Sequence, residues 1–166
     1  GYFDIALNLA SDRFLGDRKK VITNAISHDV NYFNIVCSSI DELDFIKDLN
    51  NRFKENSCFT LGVHPHNANE LNEDNLQLLK DSINLHHPSA VGETGLDFFR
   101  NLSSFESQLS AFEQQIKISI ENNLPLFLKL SKENFPAPCK KRNKKPPAND
   151  IFFMKLTLSM LLEKSL

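Results

Sequence analysis

The sequence predicts an α/β fold built from successive parallel strand–helix units. Short β-rich segments alternate with amphipathic segments up to about residue 131, and this alternation occurs five times. Repeated strand–helix–strand units give parallel strands joined by right-handed crossovers. The chain has 166 residues, whereas a complete (β/α)8 barrel needs at least about 200. An open doubly wound sheet and an incomplete barrel therefore both satisfy the pattern.

Five segments have the composition of strands. They are rich in β-branched and aromatic residues, although the first is mixed and the fourth is very short. The predicted strands cover residues 3–8, 31–37, 58–63, 90–93 and 125–130. In parallel α/β folds, ligands bind at the C-terminal ends of the strands, so polar residues at these ends become candidate site residues.

Four segments between the strands carry apolar residues at helical spacing. The predicted helices cover residues 17–28, 39–49 and 72–85, and a long helix begins near Ser103. Ser39 with Glu42, and Ser103 with Glu106, have the spacing of capping boxes that begin two of these helices. The apolar stripe predicted for the longest helix consists of Phe105, Leu109, Phe112, Ile116 and Ile120.

Charge divides the chain into parts of different character. The whole chain carries 19 basic and 21 acidic residues, but residues 132–166 hold eight basic residues against three acidic ones. We therefore predict residues 1–131 as the α/β part, residues 132–150 as a basic, proline-rich linker, and residues 151–166 as an amphipathic helix. The small net charge of −2 gives no field over the whole chain that would favour nucleic acid.

The cysteines and the hydropathy of the sequence indicate the cellular compartment of the protein. The three cysteines show no C-x-x-C spacing, which argues against a disulfide framework and a zinc ribbon. Cys37 and Cys58 lie in apolar strands and are predicted to be small buried hydrophobes. No signal peptide is visible, and the longest apolar run, residues 151–162, contains Lys155 and is too short for a bilayer. These features predict an intracellular protein, cytoplasmic or nuclear, without a membrane partner.

The third and fourth strand ends carry the residues best suited to chemistry. His64 and His66 flank a proline, and two imidazoles on a rigid turn can bind a metal or a phosphate oxygen. Glu93 follows Gly92 and offers a hard oxygen ligand, while Asp97 is placed to orient a histidine. The alternatives are a turn with exposed histidines and a solvated glutamate.

Four motifs carry a resemblance to a known family. They are FDIALNL at residues 3–9, LGVHPH at 61–66, AVGETGLDF at 90–98 and NLPLFLK at 123–129. In this order and at these separations they resemble the TatD-type metal-dependent deoxyribonucleases, which are amidohydrolase-like TIM-barrel enzymes. The resemblance implies a partial (β/α)8 TIM barrel of about five βα units with a divergent C-terminal tail.

The resemblance also implies an activity and a set of residues. The family hydrolyses phosphodiester bonds of DNA with a divalent metal, Mg²⁺ foremost and Mn²⁺ or Zn²⁺ as alternatives. Glu93 would be a metal ligand and a catalytic residue, and His64 and His66 would be catalytic and face the substrate phosphates. Asn8 and Asp97 complete the predicted substrate-binding set. A bound metal would polarise the phosphoryl oxygen and activate water.

Departures from the family pattern concern the metal ligands. Ala6 and Asn8 occupy the H-x-H positions of the first strand, and Lys129 occupies a histidine position of the fifth. An ammonium has no lone pair to donate to a metal. Two further ligands would belong to a second half that this sequence does not contain, so we expect an incomplete family member with impaired activity.

Two other hypotheses remain open. The chain could be a non-catalytic, nucleic-acid-binding module that uses the basic run at residues 140–145. It could also be a half-barrel with unpaired strand edges that is unstable alone.

Overall fold

The computed structural model describes residues 1–100, 102–130 and 151–154. Its strands are β1 (Tyr2–Leu7), β2 (Val30–Ile35), β3 (Ser57–Leu61), β4 (Ala90–Leu96), β5 (Leu126–Leu130) and β6 (Ile151–Met154). Its α-helices are α1 (Arg18–Ser27), α2 (Leu43–Arg52), α3 (Glu73–His86) and α4 (Phe105–Glu121). No helix within these residues has the length and apolar character needed to span a membrane.

The strand order decides between the two architectures that the strand–helix alternation alone left open. The order in the sheet is β1-β2-β3-β4-β5-β6, and the pairings from β1 to β5 are all parallel. A doubly wound sheet reverses its order at a switch point, whereas a (β/α)8 barrel adds each strand to the same side. The strictly sequential order is that of a barrel, and the five parallel strands form a curled half-barrel, as predicted.

The two faces of the sheet bury different clusters. Alternate strand residues such as Ile35, Leu61 and Val91 belong to the main core beneath the helices. Successive strand side chains point to opposite faces, so Val36 and Phe127 lie on the concave inner face, where they form a smaller cluster with Ala90. The helices therefore cover the outer face of the sheet, and the inner face corresponds to the interior of a barrel.

Strand β4 is longer than the sequence predicted and contains a bulge. Gly92 pairs with Phe127 and Thr94 pairs with Leu128, so Glu93 is an extra residue between two paired positions. Gly92 has φ +148°, which L-residues rarely adopt. The prediction that this strand ends at Glu93 was therefore wrong, because glycine at position 92 allows the strand to kink and continue to Leu96.

The start of the longest helix differs from the prediction by one residue. Ser104, rather than Ser103, is the N-cap of α4, and its hydroxyl accepts from the backbone N–H of Ser107 at 3.1 Å. The Ser103 hydroxyl instead donates to the carbonyl of His66 at 2.7 Å. Ser103 thus connects the loop before α4 to the loop that carries the histidines.

The buried face of α4 is also displaced from the predicted apolar stripe. Phe105 and Ile120 at the two ends of the stripe are exposed. The buried residues of α4 are Gln108, Ala111, Gln115, Ile118 and Ser119. The stripe was wrong at its ends because two buried glutamines, not apolar side chains, face the neighbouring loops.

The segment after residue 150 does not begin as the predicted helix. Residues Ile151–Met154 form strand β6, which pairs antiparallel with β5. A short apolar run is ambiguous between helix and strand by periodicity alone, and pairing with the edge of β5 resolves it here as a strand. The predicted linker at 132–150, its basic run, and residues 155–166 lie outside the described residues.

Candidate active site at the C-terminal edge of the sheet

The loop after β3 positions both histidines. His64 is the N-cap of a 3₁₀ helix (Pro65–Glu70), and its backbone N–H donates to the carbonyl of Ser38 at 2.9 Å. Pro65 suits the first position of this turn because it needs no N–H donor there. The loop is thus tied to the end of β2, and its geometry follows from the His-Pro-His sequence.

His64 is buried and neutral near physiological pH. Burial, reinforced by the charges of His66 and Lys129, lowers the pKa of His64 to about 3. Its Nδ1 accepts a hydrogen bond from the backbone N–H of His66 at 3.1 Å. In a neutral imidazole the other nitrogen then carries the proton. His64 therefore offers an N–H donor through Nε2 and no positive charge.

His66 is held by a carboxylate. Its Nε2 lies 2.7 Å from Oδ2 of Asp97, and its ring packs edge-to-face against that of His64 at a centroid distance of 4.2 Å. Because an ionised carboxylate only accepts, Nε2–H of His66 is the donor. This bond orients the imidazole and leaves Nδ1 to face other partners.

Asp97 is itself fixed from several sides. Its Oδ1 accepts from the backbone N–H groups of Phe99 and Arg100, and its own backbone N–H donates to Gln108. Burial raises the pKa of Asp97, but the His66 bond and the two backbone donors outweigh it and lower that pKa. Because the side chain is buried and both oxygens are engaged, Asp97 is arranged to orient His66, and its contact with substrate stays a prediction.

Glu93 enters the site from the β4 bulge. Its backbone N–H donates to the carbonyl of Cys37 at 2.9 Å, which connects β4 directly to the end of β2. The backbone at position 62 also lies close to Gly92. A glycine is required at position 62, since a Cβ there would lie 2.5 Å from Cα of Gly92. Burial raises the pKa of Glu93, and the positive charges of Lys129 and His66 only partly offset this effect.

Lys129 lies opposite Glu93 on the neighbouring strand. The Lys129 Nζ is 3.9 Å from Oε1 of Glu93, and the glutamate side chain is 12% exposed while the lysine side chain is 37% exposed. Lys129 also acts electrostatically on His64. We call the group formed by His64, His66, Glu93, Asp97 and Lys129 the rim site.

The residues present do not fit a divalent metal. No three His, Cys, Asp or Glu side chains in the described ranges are grouped so that they could hold an ion. Glu93, the one predicted ligand, faces an ammonium, and Asp97 is occupied by His66. Three or four converging ligands are needed for a catalytic metal. The described residues therefore provide too few ligands for a catalytic metal.

Asn8 stands apart from the rim site. It follows β1 at the same edge of the sheet, is exposed, and uses its carbonyl to accept from the backbone N–H of Ser11. Among the described residues, no hydrogen bond joins its side chain to the rim site. The structure thus brings together four of the five predicted site residues, and substrate binding by Asn8 stays a prediction.

Two glutamines of α4 were missed in the sequence. Gln115 accepts from the N–H of Val63 at 2.8 Å and donates to the carbonyl of Val63 at 3.0 Å. Gln108 accepts from Asp97 N–H at 2.8 Å and donates to the carbonyl of Ser103 at 2.9 Å. Their spacing of two helical turns was a signal that they share one face of α4. Together they fix both loops of the rim site.

Comparison with known proteins identifies relatives over the same part of the chain. The family model described as TatD related DNase matches residues 3–133. The chain is 37% identical over 126 residues to a protein of Pantoea ananatis named 3'-5' ssDNA/RNA exonuclease TatD, and 35% identical to the protein of that name from Dickeya dadantii. Each alignment covers 76% of this chain and 48% of the relative, so the chain spans about half the length of these curated relatives.

Solved structures agree with the half-barrel. A TatD family hydrolase from Entamoeba histolytica matches with a TM-score of 0.71 and 26% identity, over 80% of this chain and 50% of that one. An uncharacterized amidohydrolase from Saccharomyces cerevisiae matches with a TM-score of 0.71 and 29% identity, over 79% and 48%. A TatD homologue from Escherichia coli, at 22% identity and a TM-score of 0.71, supports the fold alone, over 76% and 49%. With the motifs, the sequential strand order and the family match in agreement, the chain belongs to the TatD family of DNases.

Proposed function

We propose that this chain provides the phosphate-binding rim of a TatD-type hydrolase that acts on single-stranded nucleic acid, and that hydrolysis by this chain is impaired. Relatives that share over a third of their aligned residues with it are named 3'-5' ssDNA/RNA exonucleases. DNA is the substrate that we assign, through its phosphodiester groups. The alternative hypothesis is a family member that binds nucleic acid without cleaving it.

The observation that carries the proposal is the grouping of phosphate-binding side chains at one edge of the sheet. His64 offers a neutral N–H donor, Lys129 supplies a permanent positive charge, and His66 is oriented by Asp97. Charge-assisted hydrogen bonds to phosphate oxygens are among the strongest in proteins. The loops at the C-terminal ends of the parallel strands are also where (β/α)8 barrels bind their ligands.

The residues divide the work of binding a phosphodiester. Lys129 is the more exposed member of its ion pair with Glu93 and attracts the phosphate. His64 donates a hydrogen bond to one of the phosphate oxygens. His66, with its Nε2–H held by Asp97, presents Nδ1 as a base or, when protonated, as a second donor. Glu93 keeps Lys129 at the rim through their ion pair. These roles would bind and orient the substrate without supplying a strong nucleophile, which is the reason to expect impaired hydrolysis.

The proposal is tested by fluorescence anisotropy with a 5'-labelled single-stranded oligodeoxynucleotide in the presence of EDTA. We expect Lys129→Gln and His64→Ala each to weaken binding about threefold to tenfold at low salt, because each removes one phosphate contact. Lys117→Gln is the matched control, since Lys117 is exposed on α4 away from the described rim contacts. Unchanged affinity in both rim variants would refute the proposed site.

The same assay separates the alternative module. Neutralising the basic run at residues 140–145 should leave the effects of the rim variants intact if the rim binds the phosphate. Loss of all affinity on neutralising that run, with no effect of the rim variants, would favour the binding module. Release of nucleotides with Mg²⁺ or Mn²⁺, measured in parallel, reports on hydrolysis, and full turnover comparable to an intact nuclease would contradict the impairment. The identity of the metal and the intracellular location stay predictions.

A further inference from the structure

We propose that Lys129 occupies, as a built-in cation, the position beside Glu93 that a divalent ion would need, so that the rim site excludes divalent metals. Lys129 belongs to the same rim site as the proposed function, but its effect on metal binding requires no nucleic acid. Lys129 is more than a missing ligand, because it keeps metal away from Glu93.

The geometry of the pair carries the first step. The Lys129 Nζ lies 3.9 Å from a Glu93 oxygen, and the glutamate side chain is 12% exposed. A divalent ion binds a carboxylate oxygen at about 2.0–2.6 Å. An ion at that distance from Glu93 would be forced close to the ammonium, and the two positive charges would repel one another beside the largely buried carboxylate.

The backbone around Lys129 keeps the ammonium near Glu93. Lys129 pairs with Gly95 in the β4–β5 ladder. Gly95 has φ +138°, and a side chain there would overlap the Lys129 carbonyl, so the two strands approach closely at this point. The Cβ of Lys129 is therefore fixed beside the β4 bulge, and its flexible side chain starts from a position next to the carboxylate.

Among the other rim residues, only Nδ1 of His66 has an uncommitted lone pair on a neutral ring, and with Glu93 this makes two ligands where three or four are needed. His64 Nδ1 accepts from the backbone N–H of His66, and Asp97 is bonded to His66 and to two backbone N–H groups. Within the described part of the chain, no third ligand joins Glu93, and its counter-ion is already supplied by Lys129.

The experiment titrates the full 166-residue chain with Mn²⁺ alone and follows the electron paramagnetic resonance signal of the free ion. Wild-type protein is expected to bind Mn²⁺ at this site more weakly than about 1 mM. Lys129→His removes the permanent charge and adds a lone pair, and it should tighten binding at least about tenfold. Lys129→Arg keeps the charge and should behave as wild type, and Lys117→His controls for an exposed histidine.

The gain must also depend on the carboxylate, so adding Glu93→Gln to Lys129→His should abolish it. Two results would overturn the inference: Lys129→His binding Mn²⁺ no more tightly than wild type, or wild-type binding tighter than about 1 mM that is lost in Glu93→Gln. Circular dichroism would show whether Lys129→His folds. If it does not, the second result still decides the question, because it compares only the wild-type chain and Glu93→Gln. Since no oligonucleotide is present, failure here is distinguishable from failure of the proposed phosphate binding.

Discussion

Replacing Gln115 with alanine is expected to destabilise the chain by about 2–4 kcal/mol, although this side chain touches no substrate. Gln115 is fully buried, accepts from the backbone N–H of Val63 at 2.8 Å and donates to the carbonyl of Val63 at 3.0 Å. Val63 is itself buried and directly precedes His64. The alanine variant therefore leaves two buried backbone groups without partners beside the rim site.

The magnitude follows from those two groups. A buried donor or acceptor that loses its partner costs about 1–3 kcal/mol, and water entering the space left by the shorter side chain would reduce that cost. The shape-matched variant Gln115→Met fills the space and so removes this relief. We expect it to lose as much stability as Gln115→Ala or more, because methionine cannot replace the amide.

Urea unfolding followed by circular dichroism measures the effect as a lower midpoint with an unchanged slope. Gln77→Ala is the matched control, because Gln77 is an exposed glutamine on α3 whose hydrogen bond to Asp81 lies at the surface. That control should stay within about 0.5 kcal/mol of wild type. If Gln115→Met is as stable as wild type, the two Val63 bonds do not stabilise the loop and the reasoning is refuted.

Three further predictions concern a glycine of the backbone, a buried thiol and the stability of the fold at low pH. Gly95→Ala is expected to cost about 3 kcal/mol or more, because Gly95 has φ +138° and a methyl group there overlaps a carbonyl of β5. Gly16→Ala, at φ +87° in open space, should cost only about 1 kcal/mol, and equal losses of melting temperature would contradict the close approach. Burial raises the pKa of the Cys37 thiol to about 12, so iodoacetamide should label Cys37 in unfolded protein but not in folded protein, as read by mass spectrometry. The pKa of Asp97 is lowered in the folded chain from 3.8, so its stabilisation is complete above that pH and is lost as pH falls through the lower folded value. Asp97→Asn should remove this acid-dependent part, and an unchanged pH profile of unfolding would count against it.

The course of β4 shows where local patterns were insufficient. The sequence predicts a strand that ends at Glu93, between Gly92 and Gly95, and the structure instead continues it to Leu96 through a bulge at Glu93. A glycine is compatible with both a turn and a bulge, because its freedom at positive φ serves either. Pairing with β5 decides between them, and that pairing involves residues distant in sequence.

The glutamines of α4 illustrate a second limit. Polar residues at helical spacing are typical of a solvated face, so Gln108 and Gln115 carried no sign of burial. Their burial depends on two loops, those of Val63 and Asp97, whose backbone groups need partners. Only the packed arrangement of α4 against these loops shows that need.

The alternation of strands and helices, the positions of the candidate residues near strand ends and the family motifs all came from the sequence itself. Each depends on short-range periodicity or on residues adjacent in the chain, and such patterns are visible without a fold. The pairing of Lys129 with Glu93, the bulge that carries Glu93 and the hydrogen bonds of Gln108 and Gln115 to the two loops came only with the tertiary structure. These features join residues from different strands and loops, and their distances are set by how the sheet curls and how its strands are staggered.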